Sequence, residues 1–266
     1  MIVNFISLSS GSNGNCYYIG TKNYGFLIDA GIGVRTIKKR LSNAGLSIDN
    51  VRAVFITHDH IDHVASAGIL SEKSFLPVYT TEKIHEGMNR NPMVLQKIYT
   101  GKRIIEKNSP LMFDDFSVEA FDVPHDSSDS VGYTFVFDNK RFTLATDLGC
   151  VCESAKEQIS MANYLVIEAN YDEQMLDTGR YPFTLKNRIR ANTGHLSNTQ
   201  TAECLSENIS EKLSHIWLCH LSKENNTSEL AYKTVAAKLA QSKIYVGKDV
   251  NLHALPRTSP TDVFVL

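Results

Sequence analysis

An apolar run, Val51-Arg52-Ala53-Val54-Phe55-Ile56, ends abruptly in Thr57-His58-Asp59-His60-Ile61-Asp62-His63. The run has the length and β-branched content of a buried strand. Three imidazoles and two carboxylates follow it within seven positions. A helix cap asks for one Asp and no histidine, so a polar loop or a simple cap accounts poorly for this composition. A divalent ion accounts for it well, since each side chain can offer a lone pair, and imidazole mixed with carboxylate suits Zn²⁺, Mn²⁺ or Fe²⁺. In an extended chain His58 and His60 point to one side, while Asp62 and His63 begin the turn into a helix. The fold must therefore carry its chemistry at strand ends.

The remaining patterns fit such a fold. Strand-like runs fall at 3–8, 16–20, 25–30, 51–57, 77–80, 116–123, 131–138, 140–146, 164–168, 215–219 and 243–246. Asp138-Asn139 marks a tight hairpin turn. Helical patterns fall at 34–44, 64–71, 82–88, 153–160, 172–178, 182–190, 198–208 and 228–240. Pro182 suits a first helical turn, and Asn198 suits an N-cap. The first half is strand-rich and the second alternates strands with helices. That mixture predicts an α/β fold of two packed sheets flanked by helices, one domain over 1–266, with no evident internal repeat.

Composition excludes several classes. A net charge of −2 and a pI near 6.5 mean that any polyanion site is a local basic patch. No stretch reaches the roughly 20 apolar residues of a membrane span, and the N-terminus lacks the charged and apolar regions of a signal peptide. Five cysteines without framework spacing point to a reducing cytoplasm. Cys150 and Cys152 read as buried thiols, or thiols behind the site, rather than ligands.

Basic charge is concentrated in one place. Between Gly179 and Asn198 lie Arg180, Lys186, Arg188 and Arg190 with no acidic residue. Lys186 and Arg190 share a helix face and form a candidate phosphate track; a solvated basic helix is the alternative. In Ser9-Ser10-Gly11-Ser12-Asn13-Gly14-Asn15, the side chains of Ser10, Ser12 and Asn15 could hold an anion in a glycine-shaped nest, or the loop could simply join two strands.

Further motifs complete the pattern. His125 stands in Val123-Pro124-His125-Asp126 ahead of Val131-Gly132-Tyr133, Asp147 ends Leu144-Ala145-Thr146-Asp147, and His220 follows Trp217-Leu218-Cys219. Thr193-Gly194-His195-Leu196-Ser197-Asn198 opens a helix after the strand ending at Glu168. Each is weak alone, but in this order they resemble the metallo-β-lactamase-fold hydrolases. Together with the Ser-Leu-Ser-Ser-Gly-Ser start, Leu27-Ile28-Asp29-Ala30-Gly31 and His220-Leu221-Ser222-Lys223-Glu224-Asn225-Asn226, they are similar to the YycJ/WalJ group from residue 3 to about 250.

That resemblance implies an αββα sandwich of two mixed sheets without a β-CASP insertion. It implies two divalent ions (Zn, Mn or Fe), with His58, His60 and His125 on one, Asp62, His63 and His220 on the other, and Asp147 between them. Asp29 would orient a ligand histidine. The implied activity is a 5′ to 3′ DNA exonuclease of replication or repair, in which a water shared by the ions attacks phosphorus. Asp62 would take a proton, and His195, oriented by Glu168, would act on the leaving oxygen. Ser197 and Asn226 would join Ser10, Ser12, Asn15, Lys186 and Arg190 at the substrate. Lacking β-CASP, the chain must clamp single- or double-stranded DNA with small loops or through a homo-oligomer. Two alternatives stay open: a small-ester or thioester hydrolase of the same fold, and a metal-stabilised regulator without turnover.

Overall fold

Fourteen strands run along the chain: β1 Asn4–Ser9, β2 Cys16–Gly20, β3 Gly25–Ile28, β4 Val51–Phe55, β5 Val78–Thr80, β6 Lys102–Ile104, β7 Leu111–Phe113, β8 Phe116–Asp122, β9 Val131–Phe137, β10 Lys140–Ala145, β11 Tyr164–Glu168, β12 His215–Cys219, β13 Asn251–Ala254 and β14 Phe264–Val265. Nine helices connect them: α1 Val34–Asn43, α2 Ile61–Val64, α3 Ala67–Ser74, α4 Glu82–Arg90, α5 Glu153–Met161, α6 Glu173–Thr178, α7 Phe183–Arg190, α8 Asn198–Asn208 and α9 Ser228–Gln241. The computed structural model describes all 266 residues. They form two units, Met1–Glu106 with Ser127–Ser130 and Pro256–Leu266, and Lys107–Asp126 with Val131–Leu255.

Each unit holds a seven-stranded mixed sheet. In the first, β14-β1-β2-β3 pair antiparallel and β3-β4-β5-β6 pair parallel. In the second, β7-β8-β9-β10 pair antiparallel and β10-β11-β12-β13 pair parallel. The two sheets thus repeat one topology, although the sequence shows no repeat. β3 and β10 hold the same place in it, each with an antiparallel neighbour on one side and a parallel neighbour on the other.

Burial explains which runs were readable. β11 is buried throughout, as a central parallel strand should be. Leu165 and Ile167 join Ile216 and Leu218 in a core shared with Ala155, Ile159, Ala202, Leu205, Val235 and Leu239. The Asp138-Asn139 turn has both residues at positive φ, 46° and 59°, as a two-residue hairpin of that type demands.

The differences lie at edges and caps. Residues 243–246 form no strand, because after α9 the chain reverses with Ile244 N–H donating to Leu239 O and only Val246 bridges Val250. The outer strand there is β13. β6, β7, β13 and β14 escape the pattern because edge strands are short and need no continuous apolar face. α8 is capped by Ser197, whose side chain accepts from Gln200 N–H in a capping box, rather than by Asn198. Pro182 is the residue just before α7.

Glu72 fastens α3 to the loop between α4 and β6. Its carboxylate accepts from Tyr99 N–H at 3.0 Å, Thr100 N–H at 3.1 Å and the Thr100 hydroxyl at 2.9 Å. These bonds, the one from Tyr99 first, hold its pKa at about 2 against an ordinary value of 4.5. A depressed folded pKa stabilises above the unfolded value and stops doing so as pH falls through the folded one. The staple should therefore be intact above pH 4.5 and lost progressively toward pH 2. Amide exchange should show Tyr99 and Thr100 opening over that window, and Glu72→Gln should expose the same amides already at neutral pH. Unchanged protection in Glu72→Gln would refute the staple.

Candidate metal centre

In the first unit the site grows from the end of β4. Thr57 donates its N–H to Asp29 Oδ1 at 2.9 Å, and its hydroxyl lies 3.0 Å from Asp29 Oδ2 and 3.1 Å from His58 Nδ1. Asp29 Oδ2 accepts from His63 Nδ1 at 2.7 Å. An ionised carboxylate only accepts, so the proton sits on Nδ1 and the lone pair on Nε2. The rings of His60 and His63 stand 4.7 and 4.1 Å from that of His58. His63 Nε2 lies 3.7 Å from Asp62 Oδ2 and 2.9 Å from the Asn15 amide nitrogen. Gly31 permits the close packing here, since a Cβ on it would lie 1.7 Å from Asp62 O. Asp59, the other carboxylate of the motif, is spent on the loop at Ser128, accepting from its N–H and hydroxyl.

In the second unit three strand ends converge. Asp147 follows β10, Glu168 ends β11 and His220 follows β12. Asp147 Oδ1 lies 3.5 Å from His220 Nε2, 3.6 Å from His195 Nδ1 and 3.7 Å from His125 Nε2. His125 donates from Nδ1 to Gly194 O at 3.0 Å, which again leaves Nε2 as the donor atom. Glu168 is the hub. Oε1 lies 2.8 Å from His195 Nδ1 and 3.2 Å from His220 Nδ1, and Oε2 accepts from the N–H groups of Leu148 and Leu196.

Charge follows from these contacts. Burial pushes the Glu168 carboxyl up, but His195 and His220 together outweigh it and leave the group below the usual range. Burial likewise disfavours charge on His195, yet Glu168 and Asp147 hold the imidazole above its usual range. For Asp29 burial wins over His63 and Thr57, so its pKa is raised. Asp29, Asp147 and His220 also share a left-handed backbone, φ 60°, 54° and 54°. Such residues cost about 1–3 kcal/mol each and persist where the surroundings fix them.

Several residues expected at the substrate have partners within the fold. Ser197 caps α8 and its hydroxyl donates to Glu173. Asn226 exchanges amide bonds with Asn198 and donates to Ala169 O and Asn170 O, so its polar atoms are used within the fold. Lys186 donates to the Asp177 main-chain O and Arg190 pairs with the Asp177 carboxylate, so both cations of the expected track have partners at one residue. Asn15 is buried against His63, Ser10 bonds the Tyr17 hydroxyl at 2.8 Å, and Ser12 is exposed. Cys150 and Cys152 are half-buried, and Cys152 Sγ faces Asp122 O. Thr57 and Asn170, which donates to His220 O at 2.8 Å, were not legible as parts of the site, and Asn15 was expected at the substrate rather than against His63. No helix is long and apolar enough to cross a membrane.

Donor clusters at the ends of strands in two mixed sheets define the metallo-β-lactamase fold, and a model of the beta-lactamase superfamily domain matches residues 24–216. The chain is 35% identical over 264 residues to exodeoxyribonuclease YycJ of Bacillus anthracis, covering 99% of each. It is 35% identical over 246 residues to exodeoxyribonuclease WalJ of Streptococcus pneumoniae serotype 2 (strain D39 / NCTC 7466), covering 92% of this chain and 91% of the relative. The metallo-β-lactamase fold protein YhfI from Bacillus subtilis superposes over 100% of both chains with a TM-score of 0.71 at 15% identity. The chain belongs to the metallo-β-lactamase-fold hydrolases, in the YycJ/WalJ group.

The donors fit the divalent ions that this family implies. Two ligands about 2.1 Å from one ion at a tetrahedral angle stand about 3.4 Å apart. The Asp147–His220 and Asp147–His125 separations of 3.5 and 3.7 Å, and the Asp62–His63 separation of 3.7 Å, match that spacing and exceed ordinary hydrogen bonds. Asp29→Asn tests how the first unit holds His63. Asparagine tolerates a left-handed backbone, but it replaces one carboxylate oxygen with a donor. A loss of about 1–3 kcal/mol in denaturant unfolding is expected, with metal affinity about 10–100-fold weaker. Unchanged stability and metal affinity would remove Asp29 from this role.

Proposed function

We propose that this chain is a dinuclear metal-dependent phosphodiesterase, a 5′ to 3′ DNA exonuclease acting in replication or repair in the cytoplasm. On this reading the two units work as one domain. His58, His60 and His125 hold one ion, Asp62, His63 and His220 the other, and Asp147 both. The names of the two relatives supply the substrate class, and five free cysteines favour a reducing compartment. The observation that favours a phosphodiester over a thioester is the Glu168–His195 contact at 2.8 Å. It fixes a histidine beside the donors as a proton donor for an alkoxide leaving group, a poor leaving group that needs one.

When bound, the ions supply Lewis-acid polarisation of the phosphate and a water of lowered pKa. The donors are nitrogen and oxygen only, a set that serves Zn²⁺, Mn²⁺ and Fe²⁺. The protein's own groups do the rest. Asp62 accepts the proton released by the attacking water. His195, held through Nδ1 by Glu168, presents Nε2 to the leaving oxygen and gives up a proton there. Glu168 keeps Nδ1 protonated, so the imidazole reloads from solvent, to which its side chain is 20% exposed. Asp29 keeps His63 in the Nε2-donor form.

Metal-reconstituted protein should digest end-labelled single- or double-stranded DNA from the 5′ end and leave a thioester panel untouched. His195→Ala should lose about 10²–10⁴-fold in turnover with metal content unchanged. His60→Ala and Asp147→Ala should lose metal and activity together. Thioester turnover without DNA digestion would replace this reading with a small-ester hydrolase. Loss of metal in His195→Ala would make His195 a ligand.

A further inference from the structure

We propose that Arg188 is the anion contact of the α7 segment, receiving a phosphodiester of the DNA strand beside the metal donors, and that Asp126 positions it. This rests on the nuclease reading and adds to it a residue that holds the strand. Three cations lie on or near the exposed side of α7, and the structure treats them differently. Lys186 and Arg190 turn to Asp177. Arg188 turns instead to Asp126, donating from Nε to Oδ2 at 2.5 Å. Asp126 Oδ1 lies 3.5 Å from His125 Nε2, the atom that also faces Asp147. One carboxylate therefore spans from a metal donor to the guanidinium.

The backbone fixes the placement. His195 N–H donates to Ile189 O at 2.8 Å, and Gly194 O accepts from His125 Nδ1. A Cβ on Gly194 would lie 2.3 Å from Arg188 O, so only glycine lets this loop sit on the end of α7. Arg188, His195 and His125 are thereby carried on one rigid junction. The Arg188 side chain is 58% exposed, and its contact with Asp126 uses Nε alone among five N–H donors. The two terminal nitrogens form the fork that recognises a phosphate through paired bonds. The contact with Asp126 holds that fork in place before substrate arrives and limits the freedom lost on binding.

The test is binding, not turnover. Metal-loaded protein is titrated with a short fluorescent single strand made of hydrolysis-resistant phosphorothioate linkages, followed by anisotropy over a range of salt. Arg188→Ala should bind about tenfold more weakly, with a salt slope smaller by about 0.7, the signature of one lost phosphate contact on a single strand. Arg188→Lys should restore the slope but not the full affinity. Asp126→Asn should weaken binding with the slope kept, and metal content should be unchanged in all three. Lys186→Ala should leave affinity and slope as in the natural protein. Equal losses in Arg188→Ala and Lys186→Ala, no loss in Arg188→Ala, or loss of metal in Arg188→Ala or Asp126→Asn would overturn the assignment. If the unaltered protein binds no DNA, the nuclease reading falls first and this inference with it.

Discussion

Glu168 is sealed from water, and the second unit's site depends on how that charge is tolerated. An isolated buried carboxylate costs several kcal/mol. Here two backbone N–H groups and two imidazoles surround it. Those partners come from three loops, after Asp147, before α8 and after β12, so a single anion sets the relative positions of all three. His195 and His220 are not placed independently. Moving either exposes the same carboxylate to an unsatisfied interior, which makes the geometry stiff where chemistry needs it.

The first unit solves the same problem with other parts. Asp29 and Asp147 follow the corresponding strands β3 and β10, and both adopt the left-handed backbone. Their side chains do opposite work. Asp29 turns to Thr57 and His63 and fixes a tautomer, whereas Asp147 faces three imidazole nitrogens. One backbone position thus holds a single imidazole in one sheet and faces three in the other. The shared strain sits where strand order passes from antiparallel to parallel and neighbouring strand ends separate, leaving room for a site.

What was legible in the sequence follows from how local each signal is. β4, β11 and β12 are mostly apolar because neighbours cover both faces along nearly their whole length, and that is written in a few consecutive residues. Donor identity is also local, which is why His58 to His63 announce themselves. The choice of hydrogen-bond partner is not. Nothing near Lys186 or Arg190 shows that Asp177 will bind both, and nothing near Asn226 shows a reciprocal amide pair with Asn198. Only resemblance puts Asp29 behind a histidine, since 34 positions separate it from His63. The repeated sheet topology escaped entirely, because topology constrains burial and register rather than particular residues.

Electrostatics links the metal to the proposed substrate. In the second unit Asp126 and Arg188 offset each other's charge, while the carboxylates of Asp147 and Glu168 stand against the imidazole of His195. A phosphodiester entering that field meets net repulsion unless divalent charge is added. Ion binding should therefore tighten DNA binding, and by linkage DNA should tighten ion binding by the same factor. The modest overall charge of −2 then ceases to be an objection to a nucleic-acid substrate. On the proposed reading, attraction would be supplied at the site, by the ions and one anchored guanidinium, without a broadly basic surface.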